Sequence, residues 1–192
     1  MQRKINNVKK LTDYKWLNLF EVEVQNIKDY STKWIFASRK EDPINDKSVD
    51  AVVIVPIIDT VEGKKIVLIK EYRPAIGDVE YGFPAGLIEK NDTVESTVAK
   101  ELKEENGLDL VKMIAASNPV YSSPGLSDEA CVIVFAKVDG RISKEYQEKA
   151  EDIEILVFGV DEITQILGDP SKKIGTKAWG ILYYYSKIGK IE

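Results

Sequence analysis

The chain has 192 residues, of which 44% are hydrophobic and 31% charged, and its formal net charge is −5 at pH 7. This composition is ordinary for a globular protein, and the negative charge argues against nucleic acid as the main partner. Histidine is absent, which excludes histidine-based triads and histidine-ligated zinc, so any metal would be held mainly by oxygen ligands.

Hydrophobic patterning predicts more strands than helices along the chain. The predicted strands lie at 16–24, 32–39, 50–59, 64–73, 111–120, 130–138 and 153–160, and residues 79–88 are predicted to be a short strand that runs into a Pro/Gly loop. The predicted helices lie at 92–107, 161–168 and 173–189. A polar loop at 41–48 is a plausible boundary. Strands interleaved with few helices indicate an α+β sandwich with a mixed sheet.

The sequence predicts a cytoplasmic protein without a membrane anchor. Its single cysteine, Cys131, can form no intrachain disulfide, which fits a reducing compartment. No run approaches the roughly 18 apolar residues that a membrane-spanning helix needs. The basic N-terminus is not followed by an apolar stretch, so we expect no signal peptide.

The predicted helix 92–107 carries three acids at helical spacing, Glu101, Glu104 and Glu105. Like charges at this spacing destabilise a helix by roughly 0.2–0.5 kcal/mol per pair. On a wheel at about 100° per residue, Glu101 and Glu105 fall on the apolar face and Glu104 falls at its edge. Because a buried carboxylate needs compensation, two explanations stay open here: a bound divalent cation, or salt bridges at the surface.

Residues 86–108, GLIEKNDTVESTVAKELKEENGL, resemble the Nudix box, G-x5-E-x7-R-E-U-x-E-E-x-G-U with U aliphatic. The positions that agree are Gly86, Glu101, Leu102, Glu104, Glu105, Gly107 and Leu108. Two positions depart from the box, since Asp92 replaces a glutamate and Lys100 replaces an arginine. Lysine keeps the charge but lacks the planar fork that can hold a carboxylate with two hydrogen bonds.

The flanking segments resemble the ADP-ribose pyrophosphatase subgroup of that family. EYRPAIGDVEYGFPAGLIE is similar to the subgroup's lead-in to the box, although Gly82 stands where a glutamate is usual. Pro124, in SSPGLSDE, matches the subgroup's proline position. Trp16, Trp34 and Arg39 resemble the N-terminal region of the dimeric members, in which two tryptophans stack on adenine.

The resemblance implies a Nudix-type α/β/α sandwich with a mixed sheet and a small N-terminal β extension. The extension would cover residues 1–45 and serve dimerisation and adenine contact, and the Nudix domain would cover residues 46–192. The implied reaction is Mg²⁺-dependent hydrolysis of the pyrophosphate bond of an ADP-sugar, with Mn²⁺ as a possible substitute. ADP-ribose would give AMP and ribose 5-phosphate.

The resemblance also implies roles for individual residues. Metal ligands would be the Ala85 carbonyl, Glu101, Glu104 and Glu105. Catalytic groups would be Glu104, Arg73 and the general base Glu151, with Glu148 as the runner-up base. Substrate contacts would come from Trp16, Trp34, Arg39, Arg73, Gly86 and Pro124.

Alternatives to this reading stay open. Another nucleotide-linked substrate, such as a GDP-sugar or a dinucleotide, would suit the same box. The departures at Gly82, Asp92 and Lys100 also allow a nucleotide-binding regulator with little turnover. We expect a homodimer, because the strand pair within 16–39 would be marginal as a free-standing hairpin.

Overall fold

Strands and three helices make up the structure, a computed structural model that describes residues 4–26, 28, 30–147 and 152–189. The strands are β1 Lys4–Lys10, β2 Asn18–Gln25, β3 Ser31–Ser38, β4 Ala51–Thr60, β5 Gly63–Arg73, β6 Asp78–Gly82, β7 Ala85–Leu87, β8 Asp109–Ala116, β9 Val120–Tyr121, β10 Ala130–Asp139, β11 Ile153–Phe158 and β12 Lys173–Ile174. The helices are α1 Val94–Asn106, α2 Val160–Gly168 and α3 Thr176–Ile188.

The chain divides into two compact units. Residues 1–50 with 119–131 form the first unit, and residues 51–118 with 132–192 form the second. Each unit is therefore discontinuous in sequence. The domain division after residue 45 stays a prediction.

The first unit contains an antiparallel three-stranded sheet in the order β1-β2-β3. Phe20 and Val22 of β2 are buried, and the Phe20 ring stacks on Phe36 of β3 with centroids 6.0 Å apart. The sequence prediction missed β1, because KINNVKK is mostly polar and every one of its residues is exposed. The same unit holds the short pairing of β9 with the start of β10.

The second unit is built on a mixed sheet in the order β12-β6-β5-β4-β10-β8, with β7 paired to β4 and β11 paired to β5. β12 runs parallel to β6, whereas β4–β5, β5–β6, β4–β7, β5–β11 and β8–β10 are antiparallel. The α+β fold with a mixed sheet is thus confirmed. Helix α1 packs against β4, β7 and β8, and α2 packs against α3. The largest fully buried side chains of this unit include Ile54, Leu68, Leu102, Ile163 and Leu182.

Several predicted elements differ from the structure. Residues 79–88 were predicted as a short strand running into a Pro/Gly loop. The short strand is β6, which pairs with β5 and ends before Pro84, but residues Ala85–Leu87 of the predicted loop form β7, which pairs with β4. The predicted strand 111–120 is two strands, β8 and β9. The last helix begins at Thr176 rather than at residue 173, because Lys173 and Ile174 pair with β6 and Gly175 then caps the helix.

The helices are 13, 9 and 13 residues long. Among the described residues, none combines the length and the apolar character that crossing a membrane requires. Cys131 lies buried in β10.

Candidate active site

The three acids lie on α1, whose two ends are both capped. At the N-terminus, Thr93 Oγ1 accepts a hydrogen bond from the Ser96 N–H (3.1 Å), and Ser96 Oγ accepts one from the Thr93 N–H (2.9 Å). At the C-terminus, Gly107 adopts a left-handed φ of 72° that ends the helix. The helix thus starts at Val94 rather than at residue 92, and Asp92 precedes it.

The acids differ in how far the fold covers them. Val98 and Leu102 are fully buried on the inner face of α1. Glu105 shares that face with an exposure of 5%, as the helical wheel indicates. Glu101 and Glu104 are half-buried. Glu105 is therefore the acid whose charge the protein encloses most.

Gly86 and Glu101 are in direct contact across β7 and α1. A Cβ placed on Gly86 would overlap the carboxylate of Glu101, so only glycine leaves room for this side chain. Gly86 pairs with Val52, and Ala85 pairs with Val53, in the ladder between β7 and β4. The fold thus brings Glu101 beside the strand whose Ala85 carbonyl is a predicted metal ligand.

These groups suit a hard cation by their chemistry. The predicted donors are carboxylates and a main-chain carbonyl, the oxygen ligands that Mg²⁺ and Mn²⁺ prefer. The space at Gly86 is filled by a carboxylate, which agrees with a role for Glu101 at that strand. In the part of the chain that the structure describes, no three acidic side chains converge closely enough to hold one ion together. Ligation by Ala85, Glu101, Glu104 and Glu105 stays a prediction.

The C-terminal end of α1 is held by residues 141–147, which we call the capping segment. The Ser143 N–H donates to the Asn106 carbonyl (3.0 Å), and Gln147 Nε2 donates to the Glu105 carbonyl (2.8 Å). Gly107 lies so close to Ser143 that a Cβ on Gly107 would be 2.7 Å from the Ser143 Cβ. Gln147 is not among the predicted site residues, because its contact with Glu105 spans 42 positions and no local pattern signals it.

Arg73 lies at the end of β5 between two carboxylates. Its Nε donates to Glu80 (2.9 Å), and its Nη1 is 2.9 Å from a carboxylate oxygen of Glu71. The guanidinium is thus oriented, and its charge is already balanced by acids. A phosphate contact through Arg73 stays a prediction.

Lys100 lies at the surface, on the side of α1 away from the apolar face. Its Nζ donates to the Glu89 carboxylate (3.2 Å), and both side chains are largely exposed. The hydrogen bond and the charge of Glu89, followed by the charge of Glu104, hold the pKa of Lys100 above its ordinary value. The lysine therefore stays protonated across the neutral range.

The two tryptophans of the first unit are exposed. Trp16 is 66% exposed and Trp34 is 51% exposed, so neither indole serves the core of its unit. Lys15 Nζ lies 4.3 Å from the centroid of the Trp16 ring. Exposed indoles are compatible with stacking on a base, and that role stays a prediction.

Arg39 and the loop of Pro124 are brought together within the first unit. The Ala37 N–H of β3 donates to the Leu126 carbonyl of that loop (2.8 Å). Arg39 Nε lies 3.8 Å from the Glu129 carboxylate, which in turn accepts a hydrogen bond from Ser122 (2.6 Å). The loop and Arg39 therefore form one cluster, although Pro124 and Arg39 lie far apart in the sequence.

The predicted general bases fall in a single gap of the described chain. Glu151 and its runner-up Glu148 both lie outside the described residues. Their roles stay predictions.

Comparison with known proteins identifies relatives that match most of the chain. The NUDIX domain family matches residues 47–179. The chain is 30% identical to the ADP-ribose pyrophosphatase of Saccharomyces cerevisiae over 135 residues, which is 69% of this chain and 57% of that protein. It is 29% identical to the ADP-ribose pyrophosphatase of Bacillus subtilis over 143 residues, 73% of this chain and 75% of that protein.

Solved structures share the fold. An ADP compounds hydrolase superposes with a TM-score of 0.75 and 19% identity, covering 100% of this chain and 98% of that one. At this identity the likeness concerns the fold alone. The chain spans 57–66% of the length of the first curated relatives it matches.

Proposed function

This chain belongs to the NUDIX domain family, and from that premise we propose that it hydrolyses the pyrophosphate bond of an ADP-sugar. ADP-ribose is the favoured substrate, giving AMP and ribose 5-phosphate. The observation that carries the proposal is the contact between Gly86 and the Glu101 carboxylate, since it joins the first residue of the box to its central acid. Relatives named ADP-ribose pyrophosphatase support the choice of substrate.

A divalent cation, Mg²⁺ or Mn²⁺, would supply the charge that neutralises a pyrophosphate during attack. Glu101, Glu105 and the Ala85 carbonyl would hold it, with Glu104 as a further ligand or an acid beside it. The burial of Glu105 supports this role, because an enclosed carboxylate is stabilised by a nearby cation.

Side chains of the protein would remove the proton of the attacking water and bind the phosphate oxygens. A water oxygen forms the new bond to one phosphorus while the bond from that phosphorus to the bridging oxygen breaks. Glu151 would take the proton of the attacking water, with Glu148 as the runner-up. Arg73 would donate to phosphate oxygens, which its fixed orientation between Glu71 and Glu80 supports.

The adenine end of the substrate would be held by the first unit. Trp16 and Trp34 would stack on the base, which their exposure supports, and Arg39 with the loop of Pro124 would border it. Gly86 would contact the substrate through its main chain, since the space that a side chain would occupy is filled by the Glu101 carboxylate.

We also propose a cytoplasmic homodimer formed through the N-terminal sheet. Exposed apolar side chains on that sheet support the dimer; they include Ile5, Val8, Leu19, Trp34 and Ile35. Analytical ultracentrifugation tests it, and a monomer at micromolar concentration would contradict it.

A substrate panel tests the activity. Purified protein is incubated with ADP-ribose, a GDP-sugar and a diadenosine polyphosphate, each with Mg²⁺, with Mn²⁺ and with EDTA. We expect AMP and ribose 5-phosphate from ADP-ribose, only with metal, and faster than products from the other compounds. Faster cleavage of another compound would show that ADP-ribose is not the preferred substrate. Tight binding of ADP-ribose without hydrolysis of any compound would identify a regulator instead.

A further inference from the structure

Gln147 joins two elements that are far apart in sequence. Its side-chain Nε2 donates to the Glu105 carbonyl at 2.8 Å and to the Ile153 carbonyl at 3.3 Å. Glu105 belongs to the last turn of α1, and Ile153 is the first residue of β11. One amide group therefore spans the end of the acidic helix and the start of a core strand.

The Glu105 carbonyl has a structural reason to accept this bond. It lies in the last turn of α1, where the helix ends and no longer supplies the regular N–H donor four residues on. Gln147 satisfies the Glu105 carbonyl, and the Ser143 N–H satisfies that of Asn106. The capping segment thus holds the turn that carries the buried Glu105 carboxylate.

The capping segment is itself folded so that Gln147 faces the helix. Ser143 Oγ accepts a hydrogen bond from the Glu145 N–H (3.1 Å), and the Gln147 N–H donates to the Lys144 carbonyl (3.2 Å). Gly107 admits the close approach of Ser143. The main chain of Gln147 is therefore held in place by hydrogen bonds within the segment itself.

The second acceptor of the Gln147 amide, the Ile153 carbonyl, belongs to a strand that is connected to Arg73. Ile153 pairs with Glu71 in the antiparallel ladder of β11 with β5. Glu71 in turn holds the guanidinium of Arg73 at 2.9 Å. Gln147 thus links the helix of Glu105 to the strand end that carries Arg73, and both are groups of the proposed reaction.

We propose that Gln147 is a positioning residue, which fixes the last turn of α1 against β11 and thereby sets the distance between Glu105 and Arg73. This role rests on the proposed hydrolase function, because it matters only where both groups act on one substrate. It concerns the rate of reaction rather than affinity, since Gln147 bonds to main-chain carbonyls of the protein.

The variant Gln147→Glu tests the role with almost no change in size. It replaces the donor by an acceptor, which faces two carbonyls and cannot bond to them while ionised. We expect kcat to fall by about tenfold to a hundredfold, since small displacements of reacting groups have effects of this size, with KM little changed. Gln165→Glu, the same exchange at an exposed position of α2, should leave kcat unchanged.

The pH dependence separates positioning from a general structural loss. A protonated carboxyl can donate a hydrogen bond again, and glutamate protonates near its ordinary pKa of about 4.3. The ratio of kcat for Gln147→Glu to kcat for the wild type should therefore rise as the pH is lowered toward that range. Gln147→Ala should show no such rise.

Amide hydrogen exchange tests the bridge without relying on activity. In wild type, Gln147→Glu and Gln165→Glu, we would follow peptides covering 101–108 and 139–147. We expect faster exchange in both peptides for Gln147→Glu alone. Unchanged exchange overturns the bridge whether or not the protein is an enzyme, and faster exchange with unchanged kcat overturns the positioning role. If the wild type hydrolyses no compound of the panel, both the proposed function and the positioning role are wrong. The exchange result still shows whether Gln147 holds α1 to β11.

Discussion

The carboxylate of Glu101 lies directly against Gly86, in space that any other residue at position 86 would fill with its Cβ. Gly86 is the first residue of the Nudix box and Glu101 is the first of its three matching glutamates. The two residues are fifteen positions apart and lie on different elements, β7 and α1. The contact explains why a glycine is needed there although its backbone is not in the left-handed region. Because of this contact, a substitution at position 86 alone tests whether Glu101 is placed to bind the metal.

The variant Gly86→Ala should lose activity while keeping its fold. The clash involves the far end of a flexible glutamate, which can swing aside at little cost in folding free energy. Its carboxylate then leaves the place proposed for the cation, so we expect kcat to fall by about a hundredfold or more. The measurement is steady-state hydrolysis of ADP-ribose together with the thermal midpoint.

Gly180→Ala is the matched control for that variant. Gly180 lies exposed in α3, and a Cβ there would meet nothing within 4 Å. Alanine should stabilise the helix by about 0.5–1 kcal/mol and leave kcat unchanged. Full activity in Gly86→Ala would contradict a catalytic role for the Glu101 position.

The variant Glu105→Gln should remove most turnover without unfolding the protein. Glutamine keeps the shape but removes the charge, and burying a neutral group is less costly than burying a carboxylate. We expect kcat to drop by about a hundredfold or more, with a thermal midpoint equal to or above that of wild type. Titration with Mn²⁺, followed by electron paramagnetic resonance, should show weaker binding.

The exposed Glu95 provides the comparison, since Glu95→Gln removes a charge from the first turn of the same helix. Its turnover and Mn²⁺ affinity should match wild type. Glu105→Gln with near-normal turnover would rule out Glu105 as a ligand.

The variants Trp16→Ala and Trp34→Ala should weaken substrate binding more than they slow the reaction. Stacking of an indole on a base contributes about 1–3 kcal/mol, which corresponds to a rise of about 5-fold to 150-fold in KM. Trp179→Ala removes an indole of similar exposure, 48% against 51% for Trp34, from α3 and should leave KM unchanged. A KM for Trp34→Ala equal to that of the Trp179 control would exclude adenine stacking by Trp34.

The variant Lys100→Arg restores the residue usual in the box. Arginine can bind a carboxylate with two parallel hydrogen bonds, which lysine cannot, so we expect kcat to rise severalfold. Because the pKa of Lys100 is raised by Glu89, the lysine is charged throughout the neutral range, and the shape of the pH profile between pH 6 and 9 should not change. Any stabilisation of the fold by the Lys100–Glu89 ion pair is present below the ordinary pKa of lysine. It is lost as the pH rises through the raised pKa of Lys100.

Lys90→Arg is the control for a general effect of arginine, since Lys90 is exposed just before α1. Equal kcat in wild type, Lys100→Arg and Lys90→Arg would show that the lysine at position 100 does not slow the reaction.

Local features of the chain were predictable from the sequence alone. The hydrophobic pattern of 92–107 predicted α1, on which the spacing of Glu101, Glu104 and Glu105 places all three acids, and the apolar runs within 50–59 and 64–73 predicted β4 and β5. Such patterns depend on the 3.6-residue and 2-residue periods of helix and strand, which are properties of neighbouring residues. The same spacing supported the family, which the match over residues 47–179 confirms.

Only the tertiary structure decided which distant groups meet. The contact of Gly86 with Glu101 depends on how α1 packs on β7, and Gln147 reaches Glu105 across 42 positions. The fold also placed Arg73 between Glu71 and Glu80, where the sequence indicated only a cation at a strand end. These relationships follow from strand order and helix packing, which are set by the burial of the whole core and leave no periodic trace in the residues they join.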